Sequence, residues 1–281
     1  MKLLRYGPPG QEKPGLLDAD GGLRDLSGEI DDIAGEVLLP GSLARLAALD
    51  PAGLPAVTGN PRIGPCVGRI GKFPAIGLNY MDHARETGIQ TPSEPIIFTK
   101  MTNCICGPHD DTVIPRGATK MDWEVELGVV IGTPGKYIEE ADALSHVAGY
   151  CTVDDVSERA FQIEREGQWV KGKSADTFGP IGPWLVTAEE VPDPQNLSLW
   201  CKVDGERRQD GTTADMIFGV AHLVSYLSRF MSLQSGDIIA TGTPHGVGLG
   251  MKPPTYLEPG QRVRLAVEGL GEQDHLMVAD E

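Results

Sequence analysis

MDWEVELGVVIG, Met121 to Gly132, is the stretch on which the fold turns. Read as a strand, it sends alternate side chains to opposite faces, so Asp122, Glu124 and Glu126 share one face and Trp123, Val125 and Leu127 the other. Neighbouring like charges cost little on a solvated face, and an exposed acidic edge is the simplest account of them. The apolar continuation LGVVIG instead puts the strand inside the protein body, where two carboxylates need a cation between them. Metal binding is therefore the favoured reading of the acidic face.

Working outward, CTVDDVSERAFQ offers a third oxygen ligand in Asp154 or Asp155, although either alone reads as readily as a helix cap. Three carboxylates without Cys or His form a hard site suited to Mg²⁺, Mn²⁺ or Ca²⁺ rather than zinc. Upstream, NYMDHARETG has the spacing of a short helix capped by Asn79 and closed by Gly88, with His83 and Glu86 on one face. A carboxylate that orients one imidazole nitrogen makes the other a better base for water. Such pairs are also common on surfaces without any role.

Downstream, GQWVKGKS (Gly167 to Ser174) matches the phosphate-loop pattern G-x-x-x-x-G-K-[ST] letter by letter. A phosphate loop needs a buried strand before it and a helix after it. Here a charged helical segment, SERAFQIERE, precedes the match, and ADTFGPIGPW, with helix-breaking Gly and Pro, follows it. Trp169 and Val170 also stand where small residues usually let backbone amides converge. Nucleotide hydrolysis is accordingly the weakest reading, which leaves Lys173 needing another role.

The 281 residues are 40% hydrophobic and 23% charged, ordinary values for a globular protein with ample core. A net charge of −16 argues against nucleic acid and anionic membranes as partners, while a small anionic substrate remains compatible with local cations. Five scattered cysteines suggest reduced thiols, and the absence of an apolar leader or a long apolar run leads to the expectation of a cytoplasmic protein. Pro and Gly are plentiful, as in turn-rich β proteins.

KLLRYG reads as a strand, GLLDADGGLRDL as a hairpin turning at Asp20-Gly21, and SLARLAALD as a helix capped by Ser42. NPRIGPCVGRIGKFP then reads as a linker. The expected organisation is a small N-terminal α/β unit over residues 1–70 and a catalytic unit over 71–281. In the latter, PAIGL, PIIFTK, MDWEVELGVVIG, DIIATGTP, QRVRLAVEG and EQDHLMV read as strands. GVAHLVSYLSRF reads as an amphipathic helix with Val220, Leu223, Val224, Leu227 and Phe230 on one face. The fold class is α+β and β-rich.

Taken in order, IGLNYMDHARETG, PIIFTK, WEVELGVVIG, DVSERAFQ, GKSADTFGPIGPWLVT and SGDIIATGTPHGVG resemble the fumarylacetoacetate hydrolase family across Phe73 to Val278. The leading MKLLRYG and KPGLLDADG segments resemble bacterial members that hydrolyse 2,4-diketo-3-deoxy sugar acids such as L-fuconate and L-rhamnonate derivatives. The resemblance implies a mixed β-sandwich roll, one Mg²⁺ or Mn²⁺, and a homodimer or dimer of dimers. It places the metal ligands at Glu124, Glu126 and Asp155, the latter chosen over Asp154. The His–Glu dyad falls on His83 and Glu86 of a lid-like segment, the catalytic lysine on Lys173, and substrate contacts on Arg159, Gln162, Thr243 and Lys100. Ala175 and Ala160 depart from the family pattern, which commonly has an aromatic and an Asp at these positions. The implied activity is C–C cleavage of a small anionic 2,4-dioxo acid to pyruvate and a second acid. Isomerases, decarboxylases and ureidoglycolate lyases share the scaffold and compete with that activity, and a non-catalytic binding module is a weaker alternative.

Overall fold

The computed structural model describes residues 1–82 and 91–280. Its centre is a nine-stranded mixed sheet. The strand order across it is Leu23–Asp25, Lys13–Leu17, Lys2–Tyr6, Leu185–Thr187, Val147–Asp154, Val125–Ile131, Ile238–Ala240, Phe73–Gly77 and Ile96–Lys100. A second sheet runs Glu206–Thr212, Ser198–Val203, Arg262–Val267, Gly271–Ala279 and Thr112–Ile114. The strands Ser198–Val203 and Arg262–Val267 pack on Val125–Ile131, and Arg262–Val267 also packs on Val147–Asp154, so the two sheets form a sandwich.

The central strands show why. Every residue of Val125–Ile131 and of Val147–Asp154 is buried, as expected for strands covered on both faces. Each fully buried Val, Leu or Ile contributes roughly 1.5–3 kcal/mol relative to an exposed one. In the second sheet, Val263, Leu265 and Val267 are buried while Arg262 and Arg264 face water, the expected alternation.

The acidic stretch is not one long strand. Met121–Asp122 pairs with Ser157–Glu158, the chain breaks at Trp123 and Glu124, and a second strand starts at Val125. The expected hairpin forms around Asp18 to Gly22. The first helix spans Pro40–Ala47 with Leu39 at its N-cap, so Ser42 lies inside it rather than capping it; Pro40, with its fixed φ, sets the start instead. Helix Val220–Phe230 buries Val220, Leu223, Val224 and Leu227, but Phe230, at its end, is 61% exposed.

The segment 1–70 is not set apart from the rest. Lys2–Tyr6 pairs with Leu185–Thr187, and Leu3, Leu16 and Leu26 belong to the same hydrophobic core as Val125 and Val153. The boundary expected near residue 70 is therefore neither a break in the sheet nor a break in the core. All five cysteines are buried and unpaired. Among the described residues, no helix is long and apolar enough to cross a membrane.

Candidate active site and metal centre

Where the acidic stretch breaks, its side chains diverge. Asp122 turns to structural work: Oδ1 accepts from the Trp123 and Gly248 amides at 2.9 and 2.6 Å, and Oδ2 accepts from Leu249 N–H at 3.0 Å and Arg159 Nε at 2.8 Å. Glu124 and Glu126 meet Asp155 on the other side, and all three offer carboxylate oxygens within 4.8 Å of one another. Strand alternation separates the two consecutive aspartates. Asp155 faces this cluster, whereas Asp154 faces the second sheet, accepting from Glu124 N–H at 3.0 Å and pairing with His275 Nε2 at 3.0 Å. His275 in turn contacts Thr112 Oγ1 at 3.0 Å, so a buried cross-sheet chain braces the Glu124 backbone.

Three cations balance most of this negative charge. Lys173 Nζ donates to Glu124 at 2.5 Å and Asp155 at 2.7 Å. Arg159 Nη2 donates to Glu124 at 2.5 Å, and its Nη1 donates to Gln162 Oε1 at 3.0 Å. Lys100 Nζ donates to Asp155 at 2.6 Å, the Lys173 carbonyl at 2.7 Å and the Val156 carbonyl at 3.3 Å. Its three protons are all used within the protein, and it does not line the cavity. Lys100 thus holds Asp155 and the Lys173 backbone in place, a correction to the substrate contact expected of it.

Glu126 is the least compensated carboxylate. Its one described donor is Gly242 N–H at 2.8 Å. Burial, then the charges of Asp155 and Glu124, push its pKa well above the ordinary glutamate range. A divalent cation among these three oxygen donors would relieve that repulsion, so the residues present fit a hard metal ion.

Glu124 and Glu126 of the cluster line a cavity of about 570 Å³, measured with its open mouth. Glu124, Glu126, Arg159, Gln162, Lys173 and Thr243 line it on the polar side. Thr243 Oγ1 donates to the Val125 carbonyl at 2.9 Å and accepts from Gln209 Nε2 at 2.7 Å, so its hydroxyl is held by a buried glutamine far away in sequence. His83 and Glu86 lie outside the described residues, as does most of the helix read around them. The Asn79 side chain, read as that helix's cap, instead binds Phe218 N–H and the Phe218 and Thr241 carbonyls.

Local chain geometry places these groups. Glu158 caps helix Arg159–Ile163 through Phe161 N–H at 2.5 Å and also accepts from the Thr119 and Lys120 amides. Short helix Val170–Lys173 packs on it through Gly172, where an added Cβ would sit 2.4 Å from the Glu158 carbonyl oxygen. The GQWVKGKS match therefore has no phosphate-loop geometry, because a helix precedes it and Lys173 ends a single turn, aimed at carboxylates. Sequence reading missed Gln209, the Asp154–His275–Thr112 chain and the anchoring of Arg159 by Asp122. Each depends on a partner more than 30 residues away.

A mixed α+β sandwich with an oxygen-only carboxylate cluster beside Lys173 and Arg159 defines a class of proteins whose residues fit a hard metal ion next to a cavity. Residues 72–277 match the family model described as fumarylacetoacetate (FAA) hydrolase C-terminal. The chain belongs to the fumarylacetoacetate hydrolase family, whose members usually bind a divalent metal. A Burkholderia multivorans protein carrying a provisional hydrolase name is 66% identical over 274 residues, 97% of each chain. The fumarylacetoacetate hydrolase of Exiguobacterium antarcticum is 34% identical with a TM-score of 0.86, covering 100% of both chains. A structure described as a probable 2-hydroxyhepta-2,4-diene-1,7-dioate isomerase from Mycobacterium abscessus is 32% identical with a TM-score of 0.85, again covering 100% of both.

Proposed function

We propose that the protein is a divalent-metal-dependent hydrolase that cleaves the C3–C4 bond of a 2,4-dioxo acid, releasing pyruvate and a second carboxylic acid. The observation that carries this reading is the meeting of Glu124, Glu126 and Asp155 beside Lys173, with Glu124, Glu126 and Lys173 lining a cavity. A bound Mg²⁺ or Mn²⁺ would supply Lewis-acid stabilisation of the negative charge that develops on the pyruvate fragment. Glu124, Glu126 and Asp155 would hold the ion. Lys173, with those carboxylates neutralised, has its ammonium free for an enolate or carboxylate oxygen. Arg159, pinned by Asp122, and the neighbouring Gln162 and Thr243 would orient the acid end.

Water must add to C4 and lose a proton as the C3–C4 bond breaks. His83, oriented by Glu86, is assigned that proton on the family pattern. The expected result for His83→Ala is retained Mg²⁺ binding by calorimetry with kcat reduced about 100-fold or more; full turnover would remove the dyad from the mechanism.

The direct test is pyruvate release from acylpyruvates and from 2,4-diketo-3-deoxy sugar acids, with Mg²⁺ and again after EDTA. Metal-dependent pyruvate formation supports the hydrolase, and the sugar-acid arm tests the subtype implied by the N-terminal resemblance. The similarity to a dienedioate isomerase favours a second reading, enolate-forming isomerisation. Substrate consumption without pyruvate or carbon dioxide would select it.

A further inference from the structure

Part of the same cavity is walled by carbon. Leu78, Phe98, Ile163, Trp169 and Leu249 line it, each only partly covered by protein, and Ile163 is 50% exposed. Half-exposed apolar side chains gathered at one cavity mark a surface that binds apolar groups.

Two backbone features hold this wall in place. Leu78 has φ of 54°, a left-handed conformation that branched residues such as leucine rarely adopt. The Trp169 indole lies directly on Gly77, where an added Cβ would come 2.5 Å from Cζ3, so only glycine leaves room for the ring. Phe98 meets Trp169 edge to face at 5.3 Å between centroids. Phe98 also lies beneath the Lys173 ammonium, 5.2 Å from its centroid, so the carbon wall adjoins the polar head site.

On this reading of the activity, we propose that the acyl end of the substrate is apolar, an alkyl or aryl group seated on Trp169, Phe98 and Ile163, and that these side chains set the specificity. No described side chain on this wall carries a charge or a hydroxyl. Against these five side chains a polyhydroxylated acyl chain gains no hydrogen bond and a terminal carboxylate gains no cation, whereas an alkyl or aryl group buries apolar surface.

The test compares kcat/KM of the Mg²⁺-loaded enzyme for benzoylpyruvate, a 2,4-diketo-3-deoxy sugar acid and a 2,4-dioxo diacid, with acetylpyruvate as the small reference. Benzoylpyruvate is expected to exceed the sugar acid and the diacid by about tenfold or more. Trp169→Ala is expected to lower kcat/KM about tenfold for benzoylpyruvate but by less than about twofold for acetylpyruvate. Gly77→Ala, which displaces the indole, gives the same selective loss as a second variant. Preference for the sugar acid or the diacid, or an equal loss on both acylpyruvates in both variants, would overturn the proposal. Calorimetric affinities of the same acids for the metal-loaded protein give the ranking independently of turnover. Absence of cleavage with benzoylpyruvate still bound most tightly removes the hydrolase reading and keeps the apolar wall.

Discussion

At the scale of single residues, Glu126 carries the sharpest consequence. Its raised pKa means that the folded, metal-free chain holds a proton to higher pH than the unfolded chain does. The stability of the metal-free protein is therefore greatest below the ordinary glutamate range and falls as pH rises from there toward the folded pKa. Mg²⁺ affinity changes in the opposite sense over the same window, because the ion displaces that proton. Glu126→Gln is expected to flatten the pH dependence of thermal stability without metal and to weaken Mg²⁺ binding at least about 100-fold. Calorimetry in two buffers of different ionisation enthalpy measures both the affinity and the proton released. A variant that binds Mg²⁺ as the parent does would remove Glu126 from the ligand set. Glu124 and Glu126 were legible in the sequence because alternation along an apolar stretch is a local signal, whereas Asp155 was separated from Asp154 only by the family resemblance. The role of Lys100 was not legible, since PIIFTK looks the same whether its lysine meets substrate or Asp155.

At the scale of elements, the site depends on how two short helices touch. Helix Arg159–Ile163 carries Arg159 and Gln162, helix Val170–Lys173 carries Lys173, and Gly172 brings them within contact. Gly172→Ala must push the second helix away from the Glu158 carbonyl and the Gln162 amide, both rigid backbone. The expected outcome is a loss of kcat of about 100-fold, with Mg²⁺ affinity changed far less, because Glu126 and Asp155 belong to the sheet and the turn beyond it. Parallel losses of metal and turnover would show that Lys173 positions the ligands rather than the substrate. The N-terminal hairpin, helix Val220–Phe230 and strands such as Phe73–Gly77, Ile96–Lys100, Arg262–Val267 and Gly271–Ala279 could be read from periodicity and turn residues, whereas Thr112–Ile114, Leu185–Thr187, Ser198–Val203 and Glu206–Thr212 were not. The break at Trp123–Glu124 could not be read, because Asp122 is drawn away by Arg159 and the Gly248 and Leu249 amides, all remote in sequence. The same holds for His275, whose partner Asp154 is 121 positions away.

For the molecule as a whole, the N-terminal hairpin and the catalytic strands share one sheet and one core. Removing residues 1–70 would strip Lys2–Tyr6 from Leu185–Thr187, leaving a new open edge and uncovering apolar core side chains. A fragment covering 71–281 is expected to aggregate, and the full chain to melt in a single calorimetric transition whose midpoint rises with Mg²⁺. Saturating metal at about 100 times its dissociation constant adds about 2.7 kcal/mol. Two separate transitions, or a soluble cooperative fragment, would restore the independent N-terminal unit that the Pro- and Gly-rich stretch after residue 60 suggests. That stretch reads as a linker because composition reports chain stiffness and not pairing; Cys66 and Val67 within it are fully buried.

The carboxylates stand on or beside the most deeply paired strands, whereas Ile163, Trp169 and Leu249 belong to short helices and loops at the rim. The two halves of the cavity therefore differ in how freely they can change. A substitution on the floor must be accommodated by two sheets at once, while one on the rim meets solvent and a few neighbours. A lineage could exchange rim side chains and take up new acyl groups without retuning the chemistry beneath, and laboratory libraries confined to positions 78, 98, 163, 169 and 249 should yield altered selectivity at little expense in folding.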